Sequence, residues 1–157
     1  MDCAKKVVSL AKKNKLTLAL AESATAGYTS YLITKVPGSS KILKGSLVVY
    51  APDSKEKFFN IPKTILEKSK GVSKPISITM AKRVAGLFNA NYGISIVGFA
   101  GPESMPGIEP GTFFATITDG DKYKTFSFKI KGKRNQVRKQ AAKMVLEKLL
   151  KIMKSKK

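Results

Sequence analysis

The residues best suited to chemistry are a serine where an apolar run gives way to a helix, Ser23, and a tyrosine and lysine five residues apart, Tyr50 and Lys55. Ser23 lies in Glu22-Ser23-Ala24-Thr25-Ala26-Gly27, directly after the apolar stretch 16–21, so its side chain leaves the sheet edge where a strand stops. Small residues there let the backbone approach a ligand closely, and the free N–H groups of the following helix suit an anion. Helix capping by Ser23 and Thr25 is the competing reading, and on spacing alone the favoured one. Tyr50 ends a second apolar run and Lys55 falls one turn into the next helix, so both can face the crevice outside the strand ends. For Lys55 to act as a base its pKa must fall from about 10.4 towards neutrality, through burial or nearby positive charge. In so lysine-rich a chain, a lysine also lands near a tyrosine by chance. The loop Gly98-Phe99-Ala100-Gly101-Pro102 can aim N–H groups at a developing oxyanion, or simply make a tight turn. Arg134 and Arg138, four residues apart, share a helix face suited to holding a phosphate or to surface ion pairs.

Two absences restrict the mechanism. The chain contains no histidine and one cysteine, Cys3. Histidine-based nucleophile pairs, histidine zinc sites and thiolate cages are therefore excluded. The ten acids are scattered, so no metal site is expected, and any base must be lysine, tyrosine or a carboxylate. The formal net charge is +20, yet all but three of the 30 basic residues are lysines, the arginines being Arg83, Arg134 and Arg138. Bidentate recognition of phosphate and bases favours arginine. The diffuse lysine excess therefore reads as a solvated surface that attracts small anions, and a nucleic-acid partner is not expected. No apolar run approaches the roughly 20 residues of a membrane span. The lone cysteine and the absence of a secretory leader make a cytoplasmic location the expectation.

The elements that must position these residues follow from periodicity. Residues 2–14 read as an amphipathic helix with Ala4, Val7, Val8 and Ala11 on one side. Strands are expected at 16–21, 46–50 and 92–97, and a strand pair at 112–118 and 124–130 around Asp119-Gly120-Asp121. Helices are expected at 28–36, as two short pieces within 52–69, from the Ser73 cap to about 89, and from 134 to about 153. The last carries Val137, Ala141, Met144, Val145 and Leu149 as its apolar stripe. At 157 residues, with no repeat or linker, this is one α/β domain with a central mixed β-sheet flanked by helices.

The same segments, in this order, resemble the CinA C-terminal domain family, stand-alone nicotinamide-mononucleotide amidohydrolases. Ala21 to Gly27 matches the family's Ala-Glu-Ser-Cys-Thr-Gly-Gly, and Val-Pro-Gly-Ser-Ser stands intact at 36–40. Tyr50 and Lys55, Gly98 to Pro102, Pro110-Gly111-Thr112, and Gly132 with Arg134 and Arg138 match its later motifs. The resemblance implies that Ser23 is the nucleophile, Lys55 the acceptor of its proton, and Tyr50 a positioning or relaying group. It implies substrate binding by Thr25, Gly27, Ser39, Gly101, Arg134 and Arg138, with neither cofactor nor metal. A small anionic nucleotide is then the expected partner, and a homo-oligomer the expected state. Activity carried by the N-terminal domain of longer relatives is expected to be lacking. The sequence departs from the family pattern at Ala24 (Cys), at Ala26 (Gly) and across 103–109, where Glu103 and Glu109 replace a glycine-rich loop. A second reading is therefore a pyridine-nucleotide-binding module that has lost hydrolysis.

Overall fold

The computed structural model describes residues 2–156. Helix α1 (Cys3–Lys13) is followed by β1 (Leu18–Glu22), α2 (Tyr28–Thr34), a 3-10 turn (Ser39–Lys41) and β2 (Leu43–Val48). Then come α3 (Pro52–Phe59), α4 (Lys63–Ser69), α5 (Lys74–Leu87), β3 (Tyr92–Phe99), β4 (Thr112–Thr118), β5 (Tyr123–Lys129) and α6 (Arg134–Ser155). The five strands form one mixed sheet in the order β2-β1-β3-β4-β5, with β1, β2 and β3 parallel and β4 and β5 antiparallel to their neighbours.

Alternation along the central strand β1 divides the core in two. Leu18 and Leu20 face a layer made by α1, α2 and α6, whereas Ala19 and Ala21 face α3, α4 and α5. Both faces of β1 are covered, which is why Leu18 to Ala21 are apolar without alternation; Glu22, at its end, is the buried exception. The expected face of α1 is buried in full, as are Val137, Ala141, Val145 and Leu149 of α6; Met144 is half-buried at the margin.

Differences from the expected boundaries have local causes. β2 begins at Leu43, because Leu43 already pairs with Leu18, with Lys44 an extra residue where the register shifts, and it ends at Val48, the partner of Glu22. Val49 and Tyr50 have left the strand, although the Val49 N–H still donates to the Glu22 carbonyl at 2.8 Å. β3 runs on to Phe99 because Gly98 and Phe99 pair with Phe113 and Thr112. Among the described residues, no helix is long and apolar enough to cross a membrane.

Candidate active site

β1, β2 and β3 share a direction, so their C-terminal ends meet at one sheet edge, and the chain leaves each of them there. Ser23 follows the last residue of β1, its N–H donating to the Ile96 carbonyl at 3.0 Å. The turn beyond it is organised by Glu22. This fully buried carboxylate accepts hydrogen bonds from the hydroxyls of Thr25 and Ser30, both at 2.6 Å. It also accepts from the N–H groups of Gly27, Thr29 and Ser30 at 2.8 to 3.1 Å. Those N–H groups are the unpaired donors of the first turn of α2, where negative charge is most favoured. The capping role considered for Ser23 and Thr25 thus belongs to Glu22, and the Ser23 hydroxyl is left for other work.

That hydroxyl meets Lys55. The Nζ of Lys55 lies 3.0 Å from Ser23 Oγ and 3.3 Å from the Tyr50 carbonyl oxygen. Lys55 is only 3% exposed and Ser23 6%. Burial without a carboxylate partner lowers the Lys55 pKa to about 8, because a desolvated ammonium is disfavoured. The pair opens into a cavity of about 230 Å³ bounded by Ala24, the 98–100 strand end, Arg134 and the Lys70-Gly71-Val72 loop, with no carboxylate in its lining. Among the described residues, the N–H groups of the lining residues Ala24 and Ala100 donate to no protein acceptor. Free donors beside a serine suit a developing oxyanion. A larger cavity, about 410 Å³, opens around Asn14, Asn91, Asp119 and Asp121, away from Ser23.

The arginines hold the walls. Arg134 donates to the Gly101 carbonyl at 2.7 Å and to the Tyr50 hydroxyl at 2.8 Å. Arg138 donates through Nε to the Ala24 carbonyl at 2.7 Å and through a terminal nitrogen to the Thr25 carbonyl at 3.4 Å. Neither arginine pairs with an acid among the described residues, so the ion-pair alternative does not apply.

The family model for the CinA C-terminal domain matches residues 1–153 of this sequence. The chain belongs to the CinA C-terminal domain family. Curated bacterial relatives, described as putative competence-damage inducible proteins, include one from Bacillus cereus (strain Q1), 36% identical over 139 residues. Another, from Geobacillus sp. (strain WCH70), is 34% identical over 150 residues. These matches cover 88% and 92% of this chain but 34% and 36% of the relatives, so the chain spans about a third of their length. A competence or damage-inducible protein from Enterobacter asburiae superposes with a TM-score of 0.91 at 26% identity, covering 96% of both chains. A CinA superfamily protein from Klebsiella pneumoniae shares the fold with a TM-score of 0.93 at 20% identity, covering 98% of this chain and 96% of the other.

Within this CinA domain the residues singled out from sequence divide into three groups. Ser23, Lys55, Tyr50 and Arg134 line one cavity, and Gly101 adjoins it through its carbonyl. Thr25, Gly27 and Arg138 lie behind the Ser23 turn, where Thr25 and Gly27 donate to Glu22 and Arg138 bonds main-chain carbonyls. In this geometry they shape the turn and do not line the cavity. Ser39 is not brought to the cavity. It precedes β2, whose first residue pairs with the first residue of β1, so it sits at the opposite edge of the sheet, its hydroxyl 3.4 Å from the Thr34 carbonyl. The Tyr50 hydroxyl bonds Arg134 instead of Ser23 or Lys55, which leaves a relay through it without a path; its contact with Lys55 is through the main-chain carbonyl.

The departures from the family pattern also take physical form. Ala26 is exposed and lies outside the cavity lining, so its methyl does not crowd a ligand; its φ of 48° is the strained feature. Glu109 pairs with Lys129 and does not line the cavity; Met105 is the residue of the 103–109 loop that does. Sequence reasoning gave no role to Glu22 or to Lys70. An acid at the junction of strand and helix was a usable signal for the first; the second had none.

Proposed function

We propose that this CinA domain is an amidohydrolase that converts nicotinamide mononucleotide to nicotinate mononucleotide and ammonia. The observation that carries the reading is the 3.0 Å contact between Ser23 Oγ and a buried lysine whose pKa is brought down to about 8. Near neutral pH a useful fraction of Lys55 is then an uncharged amine, able to take a proton from serine.

Ser23 Oγ attacks the carboxamide carbon while Lys55 accepts the hydroxyl proton. The carbonyl oxygen becomes an oxyanion, received by the free N–H groups of Ala24 and Ala100. Collapse expels the amide nitrogen, which leaves as ammonia after taking the proton from the Lys55 ammonium. A water molecule then gives one proton to Lys55 and attacks the acyl-serine ester; collapse returns that proton to Ser23 and releases the carboxylic acid, which ionises by giving water's second proton to the solvent. Each proton that Lys55 accepts it also gives back. Tyr50 supports the cycle by holding the amine through its carbonyl and by fixing Arg134 through its hydroxyl.

The test is ammonia release from nicotinamide mononucleotide by the purified protein. Ser23→Ala and Lys55→Ala should each remove it, while circular dichroism shows both variants folded. Folded wild-type protein that releases no ammonia above buffer contradicts the reading.

A further inference from the structure

The cavity beside Ser23 carries three cationic side chains, Lys55, Lys70 and Arg134, and no carboxylate. Their hydrogen bonding differs. Lys55 is taken up by Ser23 and the Tyr50 carbonyl, and Arg134 by the Gly101 carbonyl and the Tyr50 hydroxyl. Lys70 makes neither a hydrogen bond nor an ion pair through its side chain among the described residues.

Its place at the rim is nevertheless fixed by the backbone. Lys70 closes α4 in the left-handed conformation, with its N–H on the Leu66 carbonyl, and the Gly71 N–H donates to the same carbonyl at 2.9 Å. Gly71 has a φ of 77°, and a Cβ there would stand 3.6 Å from Lys55 Nζ, so this loop packs against the amine itself. Lys70 arrives from the layer of α3, α4 and α5, whereas Arg134 arrives from α6 on the other face of the sheet. A ligand reaching Ser23 therefore passes between two cations supplied by opposite layers.

We propose that Lys70 is the specificity residue that recognises the anionic group of the substrate, a phosphate monoester, at the mouth of the Ser23 cavity. The proposal rests on the amidohydrolase reading for its substrate, but the site itself is defined by charge and geometry. When Lys55 is the uncharged base, Lys70 and Arg134 are the charges left on the lining. Lysine binds phosphate as a flexible point charge and needs no fixed partner to do so. An exposed cation also forfeits little hydration while it waits for a ligand.

The experiment compares wild type with Lys70→Ala, Lys70→Arg and Lys68→Ala, the last an exposed lysine on the same helix outside the lining. The first readout is the ratio of kcat/KM for nicotinamide mononucleotide to kcat/KM for the phosphate-free nicotinamide riboside. This ratio should fall about tenfold in K70A, recover in K70R and be unmoved in K68A, as expected for loss of one charge-assisted contact. A ratio unchanged in K70A overturns the assignment, and so does an equal fall in K68A. The second readout is calorimetric binding of ribose 5-phosphate to the Ser23→Ala protein with and without Lys70→Ala, which requires no turnover. About tenfold weaker binding on loss of Lys70 supports the site; equal affinity, or no binding to either protein, overturns it. If neither amide is hydrolysed by wild type, the amidohydrolase reading fails separately, and the calorimetry still decides Lys70.

Discussion

Arg138 Nε donates at 2.7 Å to the main-chain carbonyl of Ala24, the residue directly after Ser23. A guanidinium on α6 therefore fixes the Ala24–Thr25 peptide, the unit next to the one that joins Ser23 to the free Ala24 N–H. Because Arg138 does not line the cavity, it acts on the reaction through the turn. Arg138→Ala is expected to lower kcat by roughly 10- to 100-fold with little change in KM, since oriented donors of this kind act on the transition state. Amide hydrogen exchange should show lost protection across residues 23–27. A rise in KM at constant kcat would place Arg138 on the substrate instead.

Glu22 is buried and accepts five hydrogen bonds, so its removal strands donors at the start of α2. Glu22→Ala is expected to destabilise the protein by about 3 kcal/mol or more, in keeping with the loss of a buried hydrogen-bond network. Glu22→Gln should also be harmful, because its amide presents a donor where the protein already supplies donors. Urea unfolding measures both. Loss of less than about 1 kcal/mol in either would contradict the organising role.

Ala26 occupies a left-handed conformation at φ 48° on the exposed side of the turn. Ala26→Gly relieves that strain and is expected to stabilise the fold by about 1 kcal/mol, net of the flexibility glycine adds to the unfolded chain. A thermal melt reads this directly, and an unchanged or lower Tm would count against it.

Lys55 weakens the fold in which it is buried. Its folded pKa of about 8 lies below the ordinary lysine value of 10.5. The unfolded chain therefore binds its proton more tightly, and this penalty is fully present below pH 8. It is relieved as pH rises from 8 towards 10.5. Removing the charge relieves about 3 kcal/mol, offset by two lost hydrogen bonds of about 1 kcal/mol each. Lys55→Met should thus be about 1 kcal/mol more stable than wild type at pH 7 while inactive, with that advantage shrinking above pH 8. Denaturant unfolding at pH 7 and pH 9.5 checks both signs.

Much of the frame was legible because it rests on local pattern. The Ala4, Val7, Val8 and Ala11 stripe defines α1, and the Asp119-Gly120-Asp121 turn defines the β4–β5 pair. The site was legible mainly through its resemblance to a family. Ser23 and Lys55 are 32 residues apart, and nothing within α3 distinguishes a lysine that becomes buried from its solvated neighbours. Burial depends on the α4–α5 loop closing over the amine, which is a tertiary fact. Ser39 lies away from the Ser23 cavity for a related reason. A motif matched along the chain says nothing about which edge of the sheet it occupies, and the parallel pairing of β1 with β2 puts this one at the edge opposite Ser23. Likewise, two arginines at helical spacing mark a shared face, but not whether that face meets substrate or backbone.

The pH dependence of kcat/KM for nicotinamide mononucleotide tests the Ser23–Lys55 pairing most directly. The proposed reaction needs the unprotonated amine, so the rate should rise with pH along a single ionisation near 8 and level off above it. Lys55→Arg, permanently charged, should show no such rise and no activity. A rate that is flat from about pH 6 to 9, or that survives in Lys55→Arg, would contradict the pairing.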